Sequence, residues 1–225
     1  MLNISDTWKT TYPEAFVGLL AMEKVVNPQR HPELEQHKTE VEAQLRSQFA
    51  SLERADLKAL PVLQAYNAYY KPFKKSYHVQ AQVESVVWKG KTIPSVAALV
   101  EAMFMAELKN MLLTAGHDLE KLQLPVKIDV AAGDEHYLKM NGQEQVLKAG
   151  DMYIADGQGI LSSILYGPDR RTQISPATTK VLFTIYAPPG IEPQTVRQHL
   201  QDIRDYVHIV APQADVTLLE VCGTK

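Results

Sequence analysis

The sequence predicts an α+β (mixed α/β) fold, in which N-terminal helices pack on a mixed, mainly antiparallel sheet. Apolar residues recur with helical spacing in the first half of the chain, and short β-type segments separated by turn residues follow. An amphipathic helix and one last strand close the sequence. We expect a single domain over residues 1–225, with an N-terminal strand and helical extension over 1–75 and a core over 76–225.

Helical segments account for most of the first half of the chain. Leu34, Val41 and Leu45 belong to an apolar series at spacings typical of an amphipathic helix, with polar residues on the other face. Gly90 follows another such segment, where a glycine supplies the left-handed C-terminal cap. After a strand or irregular lead-in over the first 30 residues, the predicted helices span 32–55, 61–70, 77–88 and 95–116. The last of these is apolar on most faces and is expected deep in the core.

After residue 116 the period changes from helix to strand. The turns contain the Gly, Asn, Asp or Pro that such connections require. Asn141–Gly142 predicts a type I′ hairpin turn, because both residues tolerate a positive φ. The predicted strands are "VKIDV", "HYLKM", "EQVLK", "MYIA", "ILSSILY" and "VLFTIYA". A helix over residues 191–210 and a strand over 214–221 complete the chain.

Composition limits the compartment and the partners. Cys222 is the single cysteine, so no intramolecular disulfide forms. No leader sequence and no apolar run of membrane-spanning length is seen, so a cytoplasmic location is expected. The net charge of −3 offers no general basic excess for nucleic acid, so any RNA contact has to be local. The oligomeric state is not predicted.

Two local basic clusters are candidates for RNA contact. Aromatic residues lie between the lysines of the first cluster, in "YYKPFKKSY", and such interleaving suits base stacking beside phosphate contacts. The second cluster flanks a glycine in "WKGK". An ordinary turn between helices accounts for both equally well. The candidate residues are Lys71, Lys74, Lys75, Lys89 and Lys91.

Four polar groups carry the side chains that chemistry would need, and most of them lie in predicted turns of the sheet. His117 and Asp118 follow the predicted apolar helix, where Asp118 is expected to cap the next helical turn. The other groups are Asp134, Glu135 and His136; Asp151 and Asp156; and Asp169, Arg170, Arg171 and Thr172.

Several standard chemistries lack their signature in this sequence. The lone cysteine near the end of the chain disfavours a thiol mechanism, and no phosphate-binding glycine loop is present. Ser162 and Ser163 lie in an apolar strand rather than on a nucleophile elbow. The His and Asp residues lack the spacing of metal motifs, so no metal or cofactor is expected. A metal-dependent hydrolase using His117, Asp118 and His136 is kept as one alternative.

Adjacent arginines at a strand end point in opposite directions, so at most one of Arg170 and Arg171 faces a pocket. A guanidinium beside Asp169 could bind a carboxylate or phosphate ligand in a bidentate manner. An ordinary surface ion pair would have the same sequence. Residues 169–172 are therefore open to two interpretations, a ligand-binding site and a surface ion pair.

The order of motifs between Val83 and Val196 resembles the B-three/B-four domain of the phenylalanyl-tRNA synthetase β chain, and more closely the free-standing proteins made of that domain. The residues that carry this resemblance are "KGKTIPSVAALVEAMFMAEL", "GHDLEKL", "DVAAGDEHYLKMNGQEQVLKAGDMYIAD" and "YGPDRRTQISPATTKVLFTIYAP". They cover about half the chain with the family's spacing. The resemblance implies a B-three/B-four core after residue 76, and tRNA or aminoacyl-tRNA as partner.

The resemblance also implies a pocket. His117 falls at a histidine of the family's editing pocket and Gly167 at a glycine of its wall. The family's Thr-Asn pair falls near Met103 and Phe104, and its pocket glutamate falls near Thr184. These differences remove the groups that recognise a phenolic hydroxyl, so tyrosine editing by the synthetase's own chemistry is not expected.

The leading hypothesis is a protein that binds tRNA or an aminoacyl-tRNA-like ligand, with hydrolysis of an aminoacyl ester as a further step. His117 and Glu135 are the candidate catalytic residues. The candidate ligand-binding residues are Asp118, Asp156, Gly167, Asp169, Arg170, Arg171 and Thr172. The alternative is a non-catalytic pocket for a small amino-acid-like metabolite.

Overall fold

A computed structural model describes residues 1–224 of the chain. Its helices are α1 (Asp6–Thr11), α2 (Pro32–Gln48), α3 (Arg54–Lys58), α4 (Pro61–Tyr70), α5 (His78–Lys89), α6 (Ala98–Asn110) and α7 (Pro193–Val210). Its strands are β1 (Leu2–Ile4), β2 (Phe16–Glu23), β3 (Thr114–Asp118), β4 (Val126–Val130), β5 (His136–Leu138), β6 (Glu144–Val146), β7 (Met152–Asp156), β8 (Gly159–Ser163), β9 (Gly167–Pro168), β10 (Lys180–Ala187) and β11 (Asp215–Gly223). Within residues 1–224, no helix has the length and apolar character needed to cross a membrane.

The strands form two main sheets and a separate hairpin. One sheet has the order β1-β4-β7-β8-β9, the other has the order β11-β2-β10-β3, and β5 pairs with β6. β1 pairs with β4 in parallel, whereas the remaining pairs of the two main sheets are antiparallel. The predicted α+β class with a mixed, mainly antiparallel sheet is therefore confirmed.

The four-stranded sheet lies between α7 and the five-stranded sheet. Gly18 of β2 faces α7 so closely that a Cβ at this position would lie 2.7 Å from Cγ1 of Val196. On the opposite face, the hydroxyl of Tyr186 accepts a hydrogen bond from the Ile154 amide and donates to the Ser162 carbonyl, at 3.1 and 2.8 Å. The main buried apolar cluster extends through these layers from Trp8 to Ala214.

The first part of the chain contributes to both sheets. β1 pairs with β4, and β2 lies between β10 and β11 in the middle of the four-stranded sheet. The single domain over residues 1–225 stays a prediction. The division into an extension over 1–75 and a core over 76–225 stays a prediction.

Two of the helix predictions are wrong at their ends. The helix predicted over 95–116 ends at Asn110, where Met111 adopts a left-handed conformation with φ of +58°, and the next apolar residues form β3. His117 and Asp118 therefore lie on a strand rather than directly after the helix. The helix predicted over 32–55 ends at Gln48, and a separate short helix begins at Arg54. A short apolar run fits the spacing of a helix and of a strand equally well, which explains why the helix predicted over 95–116 was too long.

Two local predictions in the sheet region also need correction. The hairpin turn at Asn141–Gly142 is not type I′, because only Gly142 has a positive φ, of +78°. Its amide donates to the Lys139 carbonyl at 2.8 Å, which closes a turn of a different type. The strand predicted as "ILSSILY" ends at Ser163.

Candidate functional site

Most of the predicted site residues lie together in a buried hydrogen-bond network around the 169–172 turn. Thr172 is at its centre. Its hydroxyl donates to the Asp169 carboxylate and accepts from Nδ1 of His117, which lies 2.8 Å away. The Asp118 amide donates to the Thr172 carbonyl at 2.7 Å. The members of the network are His117, Asp118, Asp156, Asp169, Arg171 and Thr172.

His117 is closed off from solvent within this network. Its exposed fraction is 0%, and burial, assisted by the charge of Arg171, lowers its pKa to about 3. The imidazole is therefore neutral at physiological pH, and since Nδ1 donates to Thr172, Nε2 is the unprotonated nitrogen. Nε2 is buried and has no hydrogen-bond partner. A substrate cannot reach the imidazole without a rearrangement of the residues that bury it.

The two adjacent arginines have different surroundings. The Arg171 guanidinium pairs with Asp156 at 2.8 Å and donates to the Lys121 carbonyl and to Oε1 of Gln158. Its donors are largely used by the protein itself, so Arg171 stabilises the turn. Arg170 is exposed, and within residues 1–224 its side chain has no hydrogen-bond or ion-pair partner. Of the two, Arg170 is free to contact a ligand.

Glu135 lies outside the network. Its carboxylate accepts hydrogen bonds from the amides of Ala132 and Gly133, at 2.8 and 3.0 Å, and so stabilises the turn before β5. His136 next to it is exposed on the same hairpin. In the part of the chain that the structure describes, no three His, Cys, Asp or Glu side chains are grouped so that they could hold a metal ion. The metal-dependent alternative lacks the ligand group it requires there.

A cavity of about 330 Å³ lies between α5, α6, β3 and the segment that contains β9. At its wall, Gly116 allows Ile174 to pack directly against β3, since a Cβ there would lie 2.7 Å from Cδ1 of Ile174. Three positions at which the resemblance implied a pocket wall, Met103, Phe104 and Gly167, line the cavity. The lining residues are His78, Gln82, Val100, Met103, Phe104, Glu107, Leu113, Thr114, Gly116, Met140, Gly167, Pro168 and Ile174.

The other two positions of the implied pocket face away from the cavity. Gly116 faces the cavity, and because strand side chains alternate, Ala115 and His117 point to the opposite side of the sheet. Thr184 pairs directly with Ala115 across the antiparallel ladder and so lies on that same opposite side. The structure thus separates His117 and Thr184 from Met103, Phe104 and Gly167.

Glu107 is the acidic residue of the cavity wall, and the sequence reasoning missed it. Its side chain is 3% exposed, and Oε2 accepts a hydrogen bond from the Thr114 amide at 2.9 Å. Burial raises the pKa of the carboxyl to about 8. The signal in the sequence was one glutamate within the apolar run "AMFMAEL", where a charge is costly unless it is paired.

A groove of about 380 Å³ adjoins the cavity along α5. The two spaces share His78, Gln82 and Phe104, and the groove is otherwise lined mainly by apolar groups of α5 and α6. Among the described residues, no side-chain hydrogen-bond partner is found for His78 or Gln82. Together the cavity and groove form an elongated site with free polar groups at the junction.

Four cationic residues lie near the segments that line the cavity, and we call this set the basic rim: Lys75, Lys139, Lys148 and Arg170. The ammonium group of Lys148 donates to the Phe73 carbonyl at 2.8 Å, on the turn that carries Lys75. Lys75 lies over the ring of Tyr166, with Nζ 4.2 Å from its centroid, next to the cavity-lining Gly167. Desolvation lowers the pKa of Lys75, and the charges of Lys148 and Lys139 act in the same direction. Lys139 precedes the cavity-lining Met140.

The guanidinium of Arg170 lies beside the turn that carries Lys139, since Nη1 is 3.0 Å from the position a Cβ would take at Gly142. Within residues 1–224, none of the basic rim residues has an ion-pair partner. The basic rim is therefore a local concentration of unpaired positive charge on a chain of net charge −3.

The other lysines predicted to contact RNA divide into two groups. Lys71 and Lys74 are exposed beside Lys75 on the same turn. Lys89 and Lys91 lie at the far end of the 12-residue α5, about 17 Å along the helix axis from His78. The aromatic residues Tyr69, Tyr70 and Tyr77 are buried in the core, so they are not available to stack on bases.

Comparisons with known proteins agree with the sequence resemblance. A family described as "B3/4 domain" matches residues 65–206, which include the segment that carried the resemblance. The solved structure of an N-terminal fragment of the phenylalanyl-tRNA synthetase β-subunit from Pyrococcus horikoshii is similar, with a TM-score of 0.50 at 10% identity. The match covers 96% of this chain and 50% of that fragment, so the chain spans about half its length. At this identity the likeness concerns the fold alone. No curated protein sequence matches the chain.

Proposed function

Since this chain belongs to the B3/4 domain family, we propose that it binds tRNA that carries an amino acid. The aminoacyl group occupies the cavity and tRNA phosphates contact the basic rim. The observation that carries the proposal is a group of four cationic side chains without ion-pair partners in the described chain, two of which, Lys75 and Lys139, adjoin residues that line the cavity. The fold resembles that of a fragment of a tRNA synthetase subunit, which is consistent with a tRNA ligand. A cytoplasmic location is part of the same proposal.

The cavity suits an apolar aminoacyl group. Its volume of about 330 Å³ is within the usual range for small-molecule sites, and its wall combines apolar side chains with a few polar groups. The adjoining groove of about 380 Å³ extends the site beyond the length of one amino acid. This length favours an amino acid esterified to a nucleoside over a free one.

The basic rim suits phosphate groups. Lysine and arginine side chains that displace counterions provide most of the affinity for a nucleic-acid backbone. The chain as a whole is slightly acidic, so this affinity has to come from a local surface. Arg170 adds a planar guanidinium that binds phosphate in a bidentate manner.

The proposal is limited to binding. The predicted base His117 is fully buried, and the predicted Glu135 is engaged by backbone amides on the hairpin. Neither residue lines the cavity. Ester hydrolysis through His117 would require a rearrangement of the residues that bury it, and Glu135 lies on a different hairpin, so hydrolysis is not part of the proposal.

Binding of labelled tRNA, measured by fluorescence anisotropy at several salt concentrations, tests the proposal. Aminoacylated tRNA should bind more tightly than the same tRNA without its amino acid. The double variant K75Q/K148Q should weaken binding of both forms, and the slope of log K against log salt should fall by roughly 0.7–0.9 for each lost phosphate contact.

The matched control is K58Q/R197Q, which removes the same charge at exposed positions of α3 and α7 that line neither the cavity nor the groove. An equal loss of affinity in both double variants would show that net charge, and not the basic rim, is responsible. Absence of binding across a panel of aminoacylated tRNAs would refute the proposal.

A free amino-acid-like metabolite is the second candidate ligand, and one observation favours it. Glu107 presents a carboxyl to the cavity with one oxygen unbonded, as a site for a small polar ligand would. A ligand that binds only the folded state raises the melting temperature with dose. A melting temperature that does not change with any of the twenty amino acids would exclude this candidate.

A further inference from the structure

Glu107 has an unsatisfied hydrogen-bonding capacity directed at the cavity. Oε2 accepts from the Thr114 amide, whereas no partner for Oε1 is found within residues 1–224. The side chain is 3% exposed and lines the cavity. Oε1 is not among the described side-chain atoms that are closed off from solvent without a hydrogen-bond partner, so it remains accessible from the cavity. A ligand group that pairs with Oε1 would offset the desolvation of the largely buried carboxyl.

The groups packed around Glu107 do not supply a positive charge. From α7, His199 bonds the Thr114 hydroxyl at 2.7 Å, and burial lowers its pKa to about 3, so it is neutral. From α4 and the start of α5, burial raises the pKa of Tyr66 and Tyr77 above 10, so both are neutral as well. His78 lies at the junction with the groove. No ion pair to Glu107 exists in the described chain.

We propose that Glu107 anchors the ammonium group of a ligand whose apolar side chain fills the cavity. This inference rests on the proposed function only in taking the cavity as the ligand site. Among the described residues, the site lacks a positive charge and a hydrogen-bond donor to Oε1. A primary amine supplies both, since its ammonium group is charged and donates hydrogen bonds. The apolar wall formed by Val100, Met103 and Leu113 accommodates the remainder of the ligand.

Binding of an ammonium group is then coupled to the release of a proton. The empty cavity holds Glu107 mainly in its protonated form at neutral pH, since burial raises its pKa to about 8. When the ammonium group enters, the O–H bond of the carboxyl breaks, its proton passes to solvent, and a carboxylate–ammonium pair remains. Affinity should therefore fall about tenfold for each pH unit below 7, and one proton should be released per ligand bound.

The test compares 3-methylbutylamine with 3-methylbutan-1-ol, which has nearly the same shape and no charge. Titration calorimetry at pH 7 in two buffers of different ionisation enthalpy counts the released proton. We expect the amine to bind at least tenfold more tightly than the alcohol. E107Q should remove this preference and the proton release, while the glutamine carbonyl still accepts from the Thr114 amide. E33Q, at an exposed site on α2, should behave as the unmodified protein.

Equal affinity of amine and alcohol, or an unchanged preference in E107Q, would overturn the inference. A second comparison uses aminoacylated tRNA and the same tRNA with its amino group acetylated. If tRNA binds and acetylation has no effect, the role of Glu107 is wrong and the proposed function stands. If the amine binds with proton release and no tRNA binds, the inference stands and the proposed function is wrong.

Discussion

The buried carboxyl of Glu107 should make the stability of the protein depend on pH in a way that one substitution removes. Burial in the folded protein raises the pKa of the Glu107 carboxyl to about 8, from an ordinary value near 4.5. Between these values the folded protein holds a proton that the unfolded chain has released. The free energy of unfolding should therefore fall as the pH rises from about 4.5 to 8, and this contribution should be constant outside that window.

The expected loss over this window is roughly 5 kcal/mol, since each pKa unit corresponds to about 1.4 kcal/mol. Entry of water into the cavity would reduce this loss in the free energy of unfolding. E107Q has no proton to release and keeps an acceptor for the Thr114 amide. Urea denaturation of both proteins at pH 5 and pH 8.5 measures the effect. At pH 5 the two proteins should be about equally stable, and at pH 8.5 E107Q should be the more stable by several kcal/mol.

Asp151, whose pKa burial raises to about 7, contributes to the pH dependence of both proteins, so the difference between them isolates Glu107. E33Q serves as the control for the loss of one acidic residue at an exposed site. Parallel stability curves for E107Q and the unmodified protein would refute the reasoning. That result would mean that Glu107 is ionised in the folded state.

Two further predictions concern packing and buried hydrogen bonds. T172V should destabilise the protein by roughly 2–4 kcal/mol in urea denaturation, because it leaves Nδ1 of buried His117 without a partner and removes the hydroxyl donor to Asp169, whereas T92V at an exposed site should have little effect. G18A should cost roughly 1–3 kcal/mol through contact with Val196. The loss in G18A/V196A should be smaller than the sum of the two single losses, and additive losses would show that this contact is not the cause.

The fold was largely predictable from the sequence because its elements have clear local signals. Residues 61–70 form α4 as predicted, and Gly90 ends the next helix with a φ of +64°. The membership of the B3/4 domain family was likewise predictable from the order of motifs. The end of α6 was not, because an apolar run such as "LLTAG" carries no period that distinguishes a helix from a strand.

The site was predictable only in part, because burial depends on tertiary packing. The sequence grouped Asp169, Arg171 and Thr172 with His117, and the structure brings them together. The sequence could not indicate that the group is sealed between the two sheets. Glu107 was missed for the same reason, since only the packing of α6 against β3 directs its carboxyl to a cavity.

The place of β2 in the four-stranded sheet matters for any attempt to isolate the B3/4 region. A fragment restricted to residues 65–206 would lack both β2 and β11. β10 would then expose a complete row of unpaired amides and carbonyls along an apolar strand, which is a site for aggregation. The segment that matches the family is thus shorter than the segment needed to form the whole four-stranded sheet. The first 23 residues, which include β2, are part of that longer segment.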